Sequence, residues 1–194
     1  MRLYHVPHTR STRVLWILEE VGTPYDLTVL TREDTRTPEH DARHPIGKVP
    51  VMDDRGTYLF ESSALILHVA DSNPDAGLLA APGTLERAQA YQWAFYSMLE
   101  LESQVIEFYY HKDSDPTRAA AGREAFRKNA KPLDDLFGKS DYVVGNAFSA
   151  ADVVVCGVLG FARFVGLTDG LDNVNAYVER MDARPARQRA NAVT

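Results

Sequence analysis

A stretch rich in proline and glycine divides this sequence into two parts of different character. It covers residues 73–83 and contains two prolines and two glycines. These residues end helices and strands and favour exposed turns, so we expect few contacts to cross the stretch. A chain of 194 residues is long enough for two small domains. We therefore predict a first domain over residues 1–75, a linker over 76–84 and a second domain over 85–194.

The first part alternates between strand and helix patterns. The apolar residues from Val14 to Val21 recur at helical spacing, whereas Tyr25, Leu27 and Val29 alternate as in a strand. Strands are predicted at 2–6 and 25–29, helices at 14–21 and 62–71, a hairpin at 49–60 turning at Gly56, and at most a short helix within 31–44. This order predicts a small mixed sheet covered by helices, thioredoxin-like in outline.

The second part has helical patterns throughout. Helices are predicted at 84–112 as one long or two collinear helices, at 117–137 with a kink or split at Pro132, from Ser149 onward, and at 174–184 with Asn173 as the cap. Ser149 and Asp152 have the spacing of a capping box, a structural signal. The basic segment after Pro185 is predicted to be a frayed surface helix. The fold class is therefore α/β for the first domain and all-α for the second.

Composition excludes several classes of function. The net charge is −6, from 21 basic and 27 acidic residues, which disfavours general binding to nucleic acids or anionic membranes. The longest apolar stretch, 153–162, is too short to span a membrane, and we expect a cytosolic protein. One cysteine, Cys156, allows no internal disulfide or cysteine-rich metal site, and the six histidines form no metal-like cluster. Any thiol chemistry must use a thiol that a substrate brings.

Two short segments could bind a ligand through their backbone. Val49-Pro50 leads into the predicted hairpin, and a cis proline there would turn the peptide groups of Val49 outward, where an extended peptide could pair with them. Ser62 begins a helix, whose free amides favour a carboxylate. A trans proline and an ordinary helix cap are the alternative interpretations of these two segments.

Four motifs together resemble those of the glutathione transferase superfamily, over essentially the whole chain. They are Leu3 to Glu20, similar to the family's first strand, active-site loop and helix; Pro45 to Pro50, similar to its cis-proline turn; Glu61 to Leu67, similar to its γ-glutamyl-binding motif; and Phe148 to Asp152, similar to its helical-domain capping box. The resemblance implies a glutathione site on the first domain, a hydrophobic acceptor site between the domains, and a homodimer.

The resemblance implies that glutathione is a co-substrate whose thiol is activated by the loop before the first helix. In the bacterial cysteine-type members, the catalytic cysteine aligns with Arg10 and the serine after it with Ser11. Ser11 is the first choice for the hydroxyl that donates to sulfur, and Thr9 is the alternative. Arg10 would supply positive charge and argues against mixed-disulfide chemistry. A helix cap remains an equally good interpretation of Ser11, and Tyr4 is predicted to be core.

For the tripeptide itself, the resemblance assigns backbone pairing with the cysteinyl part to Val49, with Pro50 fixing that geometry. It assigns the γ-glutamyl group to Glu61 and Ser62, and the glycine carboxylate to Lys48. Tyr109, Tyr110 and His111 are candidates for the acceptor pocket.

The expected activity is conjugation of glutathione to small, partly apolar electrophiles, without a metal. Two alternatives stay open: a glutathione-dependent isomerase of maleyl-type acids, and a non-catalytic binding protein of the same fold.

Overall fold

The computed structural model describes residues Met1–Thr194 and divides them into two compact units. The first unit comprises Met1–Leu78 together with Ala183–Thr194, and the second comprises Leu79–Asp182. The division after Leu78 falls inside the segment predicted to be a linker. The predicted second domain, 85–194, differs from the structure at its end, because the last twelve residues belong to the first unit.

The first unit is built around a four-stranded sheet. Its elements are β1 (Arg2–His5), α1 (Ser11–Val21), β2 (Asp26–Val29), α2 (Pro38–Asp41), β3 (Val51–Asp54), β4 (Thr57–Phe60), α3 (Ser62–Ser72) and α9 (Pro185–Asn191), with short 3₁₀ turns at Asp34–Arg36 and Pro74–Ala76. The strand order is β2-β1-β3-β4, in which β1 pairs parallel with β2 and antiparallel with β3. This confirms the predicted mixed sheet and the thioredoxin-like fold class.

The hairpin of β3 and β4 turns through two residues with positive φ. Arg55 has φ 54° and Gly56 has φ 82°, so the two form the type of turn whose twist matches that of the strands. The turn places β4 at the sheet edge, where Tyr58 and Phe60 are exposed. Inside the unit, Val14 and Ile17 of α1 are fully buried, as their helical spacing predicts.

The C-terminal helix α9 packs against α1. Arg184 forms two hydrogen bonds with the Glu20 carboxylate, at 2.6 and 2.9 Å, and the Arg187 guanidinium lies 4.8 Å from the centre of the Trp16 ring. Ala190 on the facing side of α9 is buried. The prediction of a frayed surface helix is therefore wrong, because the arginines that suggested solvation bind partners on α1.

The second unit is entirely helical. Its elements are α4 (Leu85–Tyr96), a π-helical turn (Ser97–Leu101), α5 (Glu102–His111), α6 (Pro116–Phe137), α7 (Ala150–Phe164) and α8 (Asp172–Asp182). The π turn joins α4 to α5, where the sequence predicted one helix or two collinear ones. Pro132 lies within α6 and does not split it. No helix of either unit has the length and apolar character that crossing a membrane requires.

Two buried carboxylates fix helix starts in the second unit. Asp152 accepts a hydrogen bond from the Ser149 N–H at 2.9 Å and completes the predicted capping box of α7. Asp134, on α6, accepts from the N–H groups of Asn173 and Val174 at 3.1 and 3.2 Å. A side chain from another helix thus serves the start of α8, where Asn173 had been expected to act as the cap.

We predict that Asp134→Ala lowers the free energy of unfolding by about 1–2 kcal/mol, because two amides at the start of α8 lose their acceptor. Urea denaturation measures the change. The control is Asp135→Ala, which removes an exposed carboxylate paired only with Lys131 and should cost less than about 0.5 kcal/mol. Equal losses in the two variants would contradict this role of Asp134.

Candidate functional site

The register of the sheet brings three loops to one end of it. Tyr4 on β1 pairs with Val51 on β3, and Val51 pairs with Phe60 on β4, so the three residues form a row. β1 ends one residue after Tyr4, where the β1–α1 loop begins. Val49 and Pro50 lead into β3 just before Val51, and α3 begins directly after Phe60, the last residue of β4. The three segments that the sequence motifs singled out therefore adjoin one another.

The Val49-Pro50 peptide bond is cis. Val49 lies just outside the ladder, which begins at Val51, and its peptide N–H and C=O form no hydrogen bond with the rest of the chain. The preceding Lys48 carbonyl is held by the buried His40, whose Nε2 lies 2.9 Å away. A half-buried residue with open backbone groups at the end of a sheet can pair with an extended peptide.

The start of α3 has the features of an anion site. Ser62 and Ser63 are 2% and 9% exposed, and neither hydroxyl has a partner within the chain. No side chain caps the helix, so its first amides also remain available. Glu61, which precedes them, has φ 72°, a strained conformation for a residue with a side chain. Unpaired buried hydroxyls are costly, and a bound carboxylate would satisfy them.

The β1–α1 loop encloses a cluster of hydroxyl groups. The Ser11 hydroxyl lies 2.7 Å from that of Thr9, 2.8 Å from Nδ1 of His5 and 3.0 Å from the Val6 carbonyl, and it accepts the Val6 N–H at 3.1 Å. Thr9 donates to the Val6 carbonyl at 2.7 Å and accepts the Ser11 N–H at 3.2 Å. These contacts tie the loop back onto the end of β1.

The cluster places the two candidate hydroxyls differently. Ser11 has no exposed surface and its oxygen is fully engaged, whereas Thr9 is half-buried. Ser11 is the first residue of α1 and not its cap; Arg10 occupies the cap position, with a half-buried side chain. A ligand could reach Ser11 only after the loop rearranged. Thr9 is thus the more accessible of the two hydroxyls, and which of them donates to sulfur stays a prediction.

The other predicted residues are distributed as follows. Tyr4 is buried, and the Arg43 guanidinium lies over its ring, 4.3 Å from the ring centre. This burial confirms the prediction that Tyr4 belongs to the core. Lys48 is exposed. In the second unit, Tyr109 packs edge to face with Tyr110 and with Phe161, at centroid distances of 5.6 and 5.5 Å; their role in an acceptor pocket stays a prediction.

Two site residues escaped the sequence reasoning. His5 is fully buried in β1 and faces the hydroxyl cluster, and His40 holds the Lys48 carbonyl. Strand alternation predicts burial of some β1 residues but not which polar group a buried histidine meets. His40 lies in α2, which the sequence predicted only as a short helix within residues 31–44, so its position relative to Lys48 could not be inferred.

The second unit contains a groove of about 440 Å³ between α5 and α6. Phe108, Arg123 and Arg127 line the groove, and no predicted site residue does. Both arginines donate to backbone carbonyls, of Gly166 and Asp169. The two arginines therefore have a structural role, which accounts for their positive charge beside the groove.

Comparison with known proteins matches both parts of the chain to one family. Residues 1–71 match the glutathione S-transferase N-terminal domain, and residues 116–180 match the glutathione S-transferase C-terminal domain. The chain belongs to the glutathione transferase superfamily. The two matches fall on the two units of the fold, and the first contains all three segments of the candidate site.

Individual relatives agree with this assignment. The chain is 28% identical to glutathione S-transferase GstA of Escherichia coli O157:H7, over 98% of this chain and 96% of that protein. A sphingomonad glutathione S-transferase, solved in complex with glutathione, superposes with a TM-score of 0.88 at 28% identity, covering 98% and 97% of the two chains. Probable elongation factor 1-gamma 2 of Arabidopsis thaliana is 29% identical over 77% of this chain, which spans 38% of that protein.

We predict that Ser11→Ala lowers the free energy of unfolding by about 1–3 kcal/mol, because the buried Val6 N–H and the His5 ring lose their partner. Thr12→Val, one residue along α1, removes a buried hydroxyl that has no partner and should leave the free energy unchanged or higher. Urea denaturation of the two variants checks both results. A neutral Ser11→Ala variant would show that the cluster does not stabilise the loop.

Proposed function

We propose that the protein is a glutathione transferase that binds glutathione at the end of the sheet formed by Val49, Pro50 and the start of α3. The observation that carries this proposal is the pair of buried, unpartnered hydroxyls of Ser62 and Ser63 at an uncapped helix start. Family membership supports it. The N–H and C=O groups of Val49, which lie at the same end of the sheet and have no partner within the chain, also support it.

Each part of glutathione has a suitable partner in this arrangement. The γ-glutamyl α-carboxylate suits the Ser62 hydroxyl and the helix amides, and the neighbouring Glu61 carboxylate suits the α-ammonium group. The cysteinyl residue suits the N–H and C=O of Val49 as a short antiparallel pair. The exposed Lys48 suits the glycine carboxylate. In this binding mode the sulfur of glutathione faces the β1–α1 loop.

Thr9 is the hydroxyl that we propose as the donor to sulfur. A free thiol with a pKa near 8.5 is mostly protonated at pH 7, so a donated hydrogen bond and positive charge raise the thiolate fraction. Thr9 supplies the hydrogen bond and Arg10 the charge, while Ser11 holds Thr9 in place from inside. Because Arg10 stands where the cysteine-type relatives carry their cysteine, the nucleophile is the sulfur of glutathione itself.

The reaction is nucleophilic substitution or addition. With an aryl halide, the thiolate forms a carbon–sulfur bond, the halide leaves with its electron pair, and the thiol proton passes to solvent. The open alternatives use the same fold differently: an isomerase would regenerate glutathione unchanged, and a non-catalytic protein would form no product. The similarity of 77% of this chain to a protein named as an elongation factor is the reason to test the second alternative.

Assembly into a homodimer in the cytosol is part of the proposal. Leu85, Phe95 and Leu99 follow one stripe along α4 and the π turn, and they are 80%, 55% and 67% exposed. Ala88 and Gln92 fill the stripe at spacings of three and four residues. An exposed apolar stripe on a long helix is typical of a surface that a second copy covers.

Retention on immobilised glutathione and turnover of an electrophilic aryl halide test the proposed function. We expect the wild type to be retained and to turn over the halide. Ser62→Ala should raise the KM for glutathione about 10-fold or more, because a charged group loses a hydrogen bond. Ser72→Ala, at the exposed end of the same helix, is the matched control and should change nothing. Binding without turnover would favour the isomerase, and no binding would refute the proposal.

We predict that Thr9→Val lowers kcat about 10 to 10³-fold while the KM for glutathione stays within about threefold, because the donor acts on the thiolate and not on the tripeptide backbone. Thr9→Ser, which keeps the hydroxyl, should retain most of the activity. Steady-state kinetics with the aryl halide measure both. An active Thr9→Val variant would transfer the role to a backbone amide or to Ser11.

We predict that Leu99→Asp converts a dimer into a monomer, because it places a charge in the apolar stripe of α4. Light scattering coupled to size-exclusion chromatography measures the mass. Phe164→Asp, which removes an exposed apolar side chain from α7 of the same unit, should leave the dimer intact. The dimer surface lies elsewhere if Leu99→Asp retains the mass of the wild type.

A further inference from the structure

His5 lies on the buried side of the hydroxyl cluster that Ser11 and Thr9 form. Its Nδ1 lies 2.8 Å from the Ser11 oxygen, and its Nε2 is buried without a partner. The ring itself has no exposed surface. A neutral histidine carries one ring proton, on either nitrogen, and the choice decides what the neighbouring hydroxyls can do.

The surroundings favour the proton on Nδ1. A proton on Nε2 would be a buried donor without an acceptor, which is the rarer and costlier kind of unsatisfied group. A proton on Nδ1 is donated to Ser11, and only a bare acceptor is left unpaired. Burial, and to a smaller extent the charge of His8, lowers the pKa of His5, so the ring is neutral at pH 7 and the choice between the two nitrogens is real.

This tautomer favours one direction for the other hydrogen bonds of the cluster. A serine oxygen has two lone pairs, and in Ser11 they are taken by the Val6 N–H and by Nδ1–H of His5. Ser11 can then only donate, and of its two acceptors the Thr9 oxygen, at 2.7 Å, is nearer than the Val6 carbonyl, at 3.0 Å. The Thr9 oxygen in turn accepts from the Ser11 N–H and the Ser11 hydroxyl. The Thr9 hydroxyl then donates its own proton to the Val6 carbonyl or to a ligand.

The opposite tautomer favours the reverse direction. With the proton on Nε2, Ser11 donates to His5, and its free lone pair competes with the Val6 carbonyl for the Thr9 proton, each at 2.7 Å, and draws that proton away from the ligand. Thr9 would then offer an entering thiol a lone pair, which favours the protonated thiol over the thiolate.

We propose that His5 is a positioning residue that sets the direction of the His5–Ser11–Thr9 hydrogen bonds so that Thr9 donates to the sulfur of glutathione. This inference rests on the proposed function for its ligand, and on the geometry of the cluster for its direction. His5 does not touch glutathione and acts only through Ser11 and Thr9.

The direction can be measured without any ligand. In the full-length protein labelled with ¹⁵N-histidine, the two ring nitrogens of each of the six histidines report by NMR which of them carries the proton. The His5 signals are identified by their loss in His5→Asn. We expect His5 to be neutral at pH 7 with the proton on Nδ1. A proton on Nε2 would overturn the proposal.

A nearly isosteric pair of variants tests the consequence for the bound thiol. His5→Asn places an amide near the Nδ1 position and can still donate to Ser11, whereas His5→Leu cannot. The ultraviolet absorbance of the thiolate, followed against pH with saturating glutathione, gives the pKa of the bound thiol. We expect His5→Leu to raise that pKa by about one unit and to lower kcat about 10-fold with little change in the KM for glutathione. His5→Asn should stay within about threefold of the wild type.

The outcomes separate this inference from the proposed function. A wild type that shows no thiolate signal and no turnover refutes the proposed function. The His5 tautomer still decides the direction of the His5–Ser11–Thr9 hydrogen bonds in that case. A wild type that is active while His5→Leu has an unchanged thiol pKa refutes the role of His5. Equal losses in His5→Asn and His5→Leu also refute it, since they would show a role in packing alone. If His5→Leu does not fold, His5→Asn and the tautomer measurement decide.

Discussion

The arrangement of the candidate site depends on the pairing register of three strands. Because Tyr4, Val51 and Phe60 lie in one row, the loop after β1, the residues before β3 and the start of α3 all meet at the same end of the sheet. A shift of one residue in β3 would exchange the faces to which Val51 and Met52 point and carry Val49 away from the helix start. Buried Val51 and Met52 hold the register, so core packing and ligand geometry depend on the same contacts.

At this end of the sheet the protein keeps polar groups that the fold itself does not satisfy. The hydroxyls of Ser62 and Ser63, the peptide groups of Val49 and the strained backbone of Glu61 all lower stability in the free protein. The hydroxyl cluster does the opposite, because Ser11 uses every bond it can form to fasten the loop to β1. A rigid loop beside unsatisfied binding groups is the arrangement expected of a preorganised site.

The sequence reveals those features that leave a local mark. The Val49-Pro50 edge, the Ser62 helix start and the Ser149–Asp152 capping box are each encoded within a few consecutive residues, and the structure contains all of them. The mixed sheet follows from the alternation of strand and helix patterns along the first unit. Features that depend on distant partners escaped. Arg184 looks like part of a solvated tail until Glu20, 164 residues away, is placed beside it. The start of α8 is served by Asp134 of another helix. Nothing local shows that Ser11 lies inside against His5.

A crystal structure of the glutathione complex tests the central claim most directly. The account predicts that the cysteinyl peptide pairs with the N–H and C=O of Val49, that the γ-glutamyl carboxylate meets the Ser62 hydroxyl, and that Thr9 is the side-chain donor nearest to sulfur. Glutathione bound away from this end of the sheet would contradict the account, as would a sulfur whose nearest side-chain donor is any group other than Thr9.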